Sequence, residues 1–415
     1  MTWPIVTLGD LAEIQLGKML SPGARSGRSP EPYLRNTNVQ WGRIELDDLL
    51  RMDFDEDERA KFSLRRGDLL VCEGGEPGRC AVLQDDLPGV FFQKALMRVR
   101  PQNERLDMRF LQRFMQYAAS QGLFAKDGNQ STIAHFPAVR LKALEFPLPP
   151  VSEQRRIADL LCKADAIRRK RKETIALTDK LLRSTFLDMF GDPVSNTKHW
   201  DAAAIGDLCE QGASLVDGPF GSSLKPESYV SAGVRVIRNW NINDDHFDEG
   251  QFKYITREKF EEIQRSEVCS GDVLITTKGT VGDVCMMPSL PGPSVLSASG
   301  TVRLRLPPDN RLLGPVVVCQ MILPSYKEYL HSFEAGSAQQ YLNLSGIKKM
   351  RLILPPLDLQ RRFVDFRARV RAVKDRLLTA TAETELLFKS STHRAFCTSD
   401  RNTKSHLRAS PASRT

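Results

Sequence analysis

Two kinds of hydrophobic pattern alternate along this chain of 415 residues. Short apolar runs, such as 68–73 (DLLVCE) and 301–307 (TVRLRLP), are interrupted by Gly and Pro, a pattern typical of short strands. The stretches Val151 to Phe190 and Leu357 to Phe396 contain neither Gly nor Pro and repeat apolar residues at helical spacing. The pattern therefore predicts mixed α/β (α+β) lobes separated by two long helices.

The two predicted helices have similar starts and similar apolar stripes. Each follows a Pro-Pro pair and begins with a residue that caps free N–H groups, Ser152 or Asp358. Apolar spacing of three and four predicts that the helices pair as an antiparallel coiled coil, and the alternative is that each helix packs on its own lobe. At 1.5 Å per residue each helix would span about 60 Å, enough for a spacer. The predicted seam consists of Ile157, Leu160, Ala164, Ile167, Arg171, Thr174, Thr178, Leu181, Phe363, Phe366, Val370, Val373, Leu377, Ala380, Thr384 and Leu387.

The chain is a tandem duplication with a period near 200 residues. The segment 33–39 (YLRNTNV) matches 236–242 (VIRNWNI), and 148–160 (LPPVSEQRRIADL) shares seven of thirteen residues with 354–366 (LPPLDLQRRFVDF). This period is too long for a solenoid, so two copies of one unit lie head to tail. The expected domains are lobe 1 at 1–151, helix 1 at 152–191, lobe 2 at 192–357, helix 2 at 358–397 and a basic, disordered tail at 398–415.

The net charge of +8 resides outside the lobes. Residues 1–151 carry 20 basic and 20 acidic side chains, and 184–357 carry 16 and 20. In contrast, 152–183 carry 10 and 5, and 358–397 carry 9 and 5. The basic excess is compatible with nucleic-acid binding, but it is equally compatible with solvated helix faces.

The sequence lacks the signature motifs of several classes of protein. The eight cysteines form no CxxC pair, there is no phosphate-binding GxxxxGK[ST] loop, and there is no Asn-Pro-Pro-aromatic methyltransferase motif. Asp272 with Thr276, Thr277 and Lys278 superficially resembles a nuclease motif but lacks its middle carboxylate. No apolar run is long enough for a membrane helix, and no export signal is present at the start, so we expect a cytoplasmic protein without a metal site.

Four motifs resemble those of a known family. They are the helix start LPPVSEQ (148–154), the helix end DMFGDP (188–193), the segment STIAHF (131–136), and the Gly-Asp turns at 67–68 and 271–272 with their two following glycines. Together with the duplicated plan, over residues 1 to about 397, these motifs resemble the specificity subunit of type I restriction-modification systems. The second copy departs from the pattern, since it has Leu359 where the family usually has Glu, lacks the FGDP ending and carries SAQQYLN at 337–343.

The resemblance implies a non-catalytic subunit of a restriction endonuclease and adenine methyltransferase complex. Each lobe would be a target recognition domain that binds one half of a gapped, asymmetric site in double-stranded DNA. The helices would act as spacer and dock two methyltransferase (modification) subunits, and the participation of restriction/translocase subunits stays open. S-adenosylmethionine, ATP and Mg²⁺ would belong to the partner subunits, with no cofactor in this chain.

The candidate DNA-binding residues come from corresponding segments of the two copies. Arg reads guanine and Asn reads adenine in the major groove, and the alternative for each Arg-Asn-x-Asn segment is a turn that caps a strand. The Gly-Asp turns are expected to be structural, and the residues that follow them, such as Thr276, Thr277 and Lys278, are expected to contact the DNA backbone. The candidates are Arg35, Asn36, Asn38, Arg98, Arg100, Gln130, Ser131, Thr132, His135, Arg238, Asn239, Asn241, Thr276, Thr277, Lys278, Arg303, Arg305, Gln339 and Gln340. A coiled-coil adaptor that binds only protein, or an enzyme lobe of unknown chemistry, would be the alternative function.

Overall fold

The computed structural model describes residues 3–124, 135–219, 221–298, 300–307, 311–336 and 340–396. The chain divides into two compact units, one made of Met1–Lys172 with Thr379–Thr415 and the other of Glu173–Leu378. Because the boundaries fall within the two long helices, each unit combines one lobe with a segment of both helices.

Lobe 1 is built mainly from short strands. They are β1 (Ile5–Thr7), β2 (Ala12–Leu16), β3 (Pro30–Leu34), β4 (Val39–Gln40), β5 (Arg43–Ile44), β6 (Leu50–Asp53), β7 (Leu69–Cys72), β8 (Cys80–Val82), β9 (Phe91–Phe92), β10 (Leu96–Pro101) and β11 (Glu145–Pro147), with helices α1 (Glu56–Lys61), α2 (Met108–Ser120) and α3 (Ala138–Lys142). An antiparallel sheet has the order β2-β10-β7-β8, a second sheet has the order β6-β3-β9, and β4-β5 and β1-β11 are separate pairs. Every residue of β7 is buried, which explains its uninterrupted apolar run.

Helix α4 (Val151–Phe190) follows lobe 1 and leads into lobe 2. The elements of lobe 2 are β12 (Ala202–Ala204), α5 (Ile205–Glu210), β13 (Ser214–Asp217), β14 (Val234–Ile237), β15 (Ile242–Asn243), β16 (His246–Phe247), β17 (Lys253–Ile255), α6 (Arg257–Glu262), β18 (Glu267–Val268), β19 (Val273–Thr276), β20 (Val284–Met286), β21 (Ser294–Leu296), β22 (Thr301–Arg305), α7 (Gly314–Met321), α8 (Pro324–His331), α9 (Leu344–Lys349) and β23 (Arg351–Ile353), followed by α10 (Leu357–Phe396).

Lobe 2 repeats the plan of lobe 1. Its sheets have the orders β13-β22-β19-β20 and β17-β14-β21-β18, with β15-β16 and β12-β23 as separate pairs. In both lobes one strand pair within the second sheet is parallel, β3 with β9 and β14 with β21. The predicted mixed α/β fold and its duplication are confirmed.

The two long helices begin and end where the absence of Gly and Pro predicted. Each helix also contributes to the core of a unit. Phe396, at the end of α10, packs against Phe110 and Phe114 of α2 at ring-centroid distances of 5.4 and 5.6 Å. In the other unit Phe186 of α4 packs edge to face on Phe363 at 5.4 Å. These aromatic contacts bury the ends of the helices in hydrophobic cores.

Within each unit the helix segments run antiparallel. In the first unit Arg168 lies over the ring of Phe388, and Arg171, further along α4, donates to the carbonyl of Ala380, earlier in α10. In the second unit the Lys374 ammonium donates to Asp179 at 2.6 Å, and Phe186 meets Phe363. Polar side chains therefore make much of the contact between the two helices.

The predicted seam is only partly correct. Ile157 and Phe363 are buried, and Ala164, Phe366, Val370 and Leu377 are half-buried. The prediction is wrong for five apolar positions, which are exposed by between 47 and 66%: Leu160, Ile167, Leu181, Val373 and Leu387. A sixth predicted position, Thr174, is exposed as well. The inner stripe of α4 keeps the predicted Ile157, Arg171 and Thr178. Between them it runs through Leu161, Asp165 and Leu182 and not through the apolar neighbours Leu160, Ile167 and Leu181, because polar partners occupy part of the inner side.

Candidate nucleic-acid interface

The Arg-Asn-x-Asn segment forms the same tight turn in both lobes. In lobe 1 the Asn38 side chain accepts from the backbone N–H of Arg35 at 3.0 Å and donates to the carbonyls of Glu45 and Asp48 at 3.1 Å. Asn241 does the same in lobe 2, accepting from Arg238 at 2.9 Å. Both asparagines are buried, so the structure favours the alternative, turn-capping interpretation of Asn38 and Asn241.

The first asparagine of each segment connects this turn to a second one. Asn36 Nδ2 donates to the carbonyl of Gly74 at 3.2 Å, and Asn239 Nδ2 donates to the carbonyl of Lys278 at 2.6 Å. Gly74 and Lys278 belong to the glycine-containing turns that follow β7 and β19. In both turns the next residue, Gly75 or Gly279, has a positive φ (77° and 79°), which explains the glycine there.

A third segment joins the same surface. In lobe 1 Phe136 donates its backbone N–H to the Glu73 carbonyl at 2.7 Å, and Gly74 forms an antiparallel bridge with His135. The His135 ring lies 3.4 Å from the Glu73 carboxylate. These contacts place His135 beside the turn that Asn36 also holds.

The third segment of lobe 2 docks in the same way. Leu342 donates its backbone N–H to the Thr277 carbonyl at 3.0 Å, and the Lys278 ammonium lies 5.9 Å from the Tyr341 ring centroid. Tyr341 therefore occupies the place that His135 has in lobe 1. We call these regions the loop surface of lobe 1 (35–38, 73–75 and 135–136) and the loop surface of lobe 2 (238–241, 277–279 and 340–342).

The two loop surfaces share a frame and differ in their exposed chemistry. Thr37, Gly74 and His135 of lobe 1 correspond to Trp240, Lys278 and Tyr341 of lobe 2. His135, Lys278 and Trp240 are exposed, as is Gln340. Sequence reasoning missed Trp240 and Tyr341, although alignment of the two copies would have shown the exchange of Thr for Trp between two asparagines.

The predicted arginines on β10 and β22 have structural partners. The buried Asp68 carboxylate accepts two hydrogen bonds from the Arg100 guanidinium, both at 2.7 Å, which raises the pKa of Arg100. Asp272 holds Arg305 likewise at 2.7 and 2.8 Å and raises its pKa. The Gly-Asp turns therefore anchor the sheet, as expected of a structural motif.

Arg98 and Arg303 are buried beside these pairs. Arg98 Nη1 donates to the carbonyl of Ser63 at 2.8 Å, and Arg303 Nε donates to the carbonyl of Glu267 at 2.7 Å. Burial lowers the pKa of both guanidinium groups. Because their donors serve the backbone, we do not include these two residues in the proposed DNA surface.

Thr276 and Thr277 are also buried in the turn after β19. The Thr276 hydroxyl accepts from the backbone N–H of Asp283 at 2.9 Å and donates to the Thr280 carbonyl. Of the three predicted neighbours, Lys278 alone is exposed. Four further candidates, Gln130, Ser131, Thr132 and Gln339, lie outside the described residues, as does the tail 398–415.

Metal clusters, disulfides and membrane-spanning helices are absent from the part of the chain that the structure describes. Among the described residues, no group of three or more His, Cys, Asp or Glu side chains could hold a metal ion. The seven cysteines in the same ranges are free thiols. None of the helices described combines the length and apolarity needed to cross a membrane.

Comparison with known proteins gives a family match for the N-terminal part of the chain. Residues 1–177 match the family described as the type I restriction modification DNA specificity domain. The resemblance recognised in the sequence is thereby confirmed, and the loop surface of lobe 1 lies within the matched residues.

Similarity to specificity subunits extends beyond the specificity domain. The chain is 22% identical over 282 residues to the EcoBI specificity subunit of Escherichia coli, which covers 62% of this chain and 58% of that protein. The chain thus spans little more than half the length of that relative. It is 21% identical over 407 residues to the putative MjaX specificity subunit of Methanocaldococcus jannaschii, covering 94% and 90% of the two chains.

Two solved structures share the fold. The S subunit of the type I restriction-modification system from M. genitalium superposes with a TM-score of 0.61 at 16% identity, covering 96% of this chain and 97% of that one. A chain from a study of complex assembly and conformational transition in the type I restriction-modification system gives a TM-score of 0.54 at 18% identity, with coverage of 95% and 97%. These likenesses confirm the lobes and long helices.

Proposed function

We propose that this chain is the DNA sequence-recognition subunit of a type I restriction-modification enzyme. Each lobe binds one half of a gapped, asymmetric site in double-stranded DNA, and the chain performs no catalysis itself. The observation that carries the proposal is the convergence of three distant segments into one loop surface in each lobe. A constant frame with different exposed residues is what reading two different half-sites requires.

The exposed residues of the loop surfaces suit DNA contact. Lys278 presents an exposed ammonium group, whereas Arg35 and Arg238, which begin the two tight turns, are half-buried and Arg35 is paired with Asp48. Arg and Lys contact phosphates or guanine, and half to two-thirds of the hydrogen bonds in such complexes go to the DNA backbone. Asn36 and Asn239 each donate one amide hydrogen bond to the adjacent turn and keep a second amide hydrogen.

The long helices provide the surface for partner proteins. Large apolar side chains that the inner stripe leaves exposed repeat along α4 and α10: Leu160, Ile167, Leu177, Leu181, Val373, Leu378, Leu386 and Leu387. Exposed apolar rows of this kind mark protein interfaces. We assign them to the docking of two methyltransferase subunits, which supply S-adenosylmethionine binding. ATP and Mg²⁺ belong to restriction/translocase subunits where these are present, and the DNA substrate places the complex in the cytoplasm.

DNA binding by the chain together with its methyltransferase partners tests this proposal. The affinity for the DNA sequence that the complex recognises should fall steeply as the salt concentration rises. At a given salt concentration it should exceed the affinity for unrelated DNA by a factor of at least about 10³. The site itself is read from the adenines that are methylated in the host genome. Equal affinity for all sequences, or no binding, would instead favour a coiled-coil adaptor that binds only protein.

A further inference from the structure

Trp240 is the most conspicuous apolar side chain on the loop surface of lobe 2. It is 76% exposed, although a Trp ring is among the most costly side chains to leave in water. The corresponding residue of lobe 1 is Thr37. The Trp therefore belongs to the chemistry of one lobe and is not needed by the shared frame.

The backbone that presents Trp240 is rigidly held. Asn241, the next residue, is buried and caps the turn through Arg238 and Asp248, while Asn239 donates to the Lys278 carbonyl. Gly300 approaches Asn239 so closely that an added Cβ would lie 2.7 Å from its amide. The backbone at Trp240 is thus held in place while its indole ring is exposed, as expected of a preorganised contact.

The surroundings of Trp240 suit a nucleic acid. The Lys278 ammonium lies over the ring of Tyr341, which is itself 37% exposed. An exposed cation over one aromatic ring, on the same loop surface as the exposed indole of Trp240, combines a phosphate contact with faces on which bases stack. No carboxylate is found in the loop surface of lobe 2, whereas Glu73 lies in that of lobe 1.

We propose that Trp240 stacks on a base at an opened base step within the half-site read by lobe 2. The inference rests on the proposed function and adds a specificity-determining residue to it. Pyrimidine–purine steps open most easily, so the half-site of lobe 2 contains such a step at the position of the ring. Lobe 1, with Thr37, reads its half-site without this contact.

The test is a cycle of protein and DNA variants in the complex with methyltransferase subunits. Trp240→Ala should bind the cognate site about tenfold more weakly, whereas Trp240→Phe should retain most of the affinity, because stacking needs an aromatic face. Met19→Ala, which removes a large exposed side chain outside both loop surfaces, is the control and should bind as the wild type does. Since the ring is exposed, all three variants should keep the wild-type melting temperature.

The DNA arm of the cycle locates the contact. On DNA with an altered lobe 1 half-site the tenfold difference between wild type and Trp240→Ala should persist. On DNA with an altered lobe 2 half-site the difference should vanish, because that contact is already lost. A loss of the same size on both altered DNAs would overturn the inference, as would unchanged cognate binding or a loss caused by release of a methyltransferase subunit. Absence of any sequence preference in the wild type would instead refute the proposed function.

Discussion

Gln154 and Gln360 make the same three hydrogen bonds at the start of the two long helices. Both side chains are fully buried. The Gln154 amide accepts from Asp107 N–H at 2.9 Å and donates to the carbonyls of Arg105 and Pro149, and the Gln360 amide accepts from Leu313 N–H at 2.9 Å and donates to the carbonyls of Arg311 and Pro355. Each glutamine thereby ties the first turn of a helix to the loop before the lobe's own helix.

Replacing either glutamine should loosen the attachment of its helix. Gln154→Ala leaves one N–H and two carbonyls without partners, and each buried orphan costs about 1–3 kcal/mol. We expect a lower melting temperature and faster proteolysis, with Gln360→Ala giving a similar loss. Lys163→Ala, at an exposed position of the same helix, is the control and should change nothing. Wild-type stability of both Gln variants would contradict this role.

The Asp272–Arg305 pair should contribute to stability and leave the recognised sequence unchanged. Asp272→Asn removes a buried charge partner, which we expect to cost about 1–3 kcal/mol. Asp68→Asn should have the same effect in lobe 1. Denaturant unfolding measures the cost, and methylation mapping reads the site at a permissive temperature. A changed recognition sequence would mean that these arginines contact bases after all.

Part of the loss of folding stability at low pH should arise from Asp192, in the DMFGDP segment. Partial burial acts to raise its pKa, but hydrogen bonds from Ser325, Ser195 and Val194 outweigh burial and lower the pKa below the usual 3.8. Because the folded-state pKa is lowered, this stabilisation is present above about pH 4 and is lost as the pH falls through the lower folded value.

Asp192→Asn is the variant that isolates this contribution. It should lower the melting temperature at pH 7 by about 2–4 °C and should flatten the decline of stability below pH 4. Asp188→Asn is a suitable control, since Asp188 is exposed nearby on α4. A decline as steep as that of the wild type would exclude Asp192 as its source.

The two lobes attach to their helices with opposite charge polarity. In lobe 1 the buried Arg113 lies 3.3 Å from Asp165 of α4. In lobe 2 Asp245 accepts from Arg367 and Arg371 of α10, and this partner raises the pKa of Arg367 in spite of burial. Asp165 and Arg371 occupy corresponding positions of the two helices.

Asp165→Arg should therefore destabilise the first unit, because two buried guanidinium groups would meet. Adding Arg113→Asp should restore part of the lost stability, since it reverses the pair. A double-mutant cycle of unfolding free energies measures the coupling, for which we expect about 1–3 kcal/mol. Additive effects of the two changes would show that the polarity has no energetic role.

Local signals in the sequence predicted the helices and turns themselves better than they predicted the contacts between these elements. The absence of Gly and Pro located both long helices, and the Gly-Asp motif located two structural turns. The seam was partly misplaced, because Leu160 and Ile167 are exposed while Leu161 and Asp165 lie on the inner side beside the correctly predicted Arg171. Charged residues enter that side because tertiary partners satisfy them, and the partners are distant in sequence.

The loop surfaces show the same limit. The sequence identified the Arg-Asn-x-Asn, glycine-turn and His135 segments separately, since each carries a local motif. Their convergence depends on the hydrogen bonds of Asn36 and Phe136 with the turn between them, which no spacing reveals. The distinction between an asparagine that caps its own turn, such as Asn38, and one that binds a neighbouring turn, such as Asn36, likewise needs the fold.

Exchange of one lobe tests the central claim most directly. Residues 1–151 are replaced by the corresponding lobe of another specificity subunit, and methylated adenines are mapped in cells that contain the methyltransferase partner. One lobe reading one half-site predicts a new sequence in one half and an unchanged sequence in the other. A site in which both halves change, or in which neither changes while methylation continues, would contradict the account.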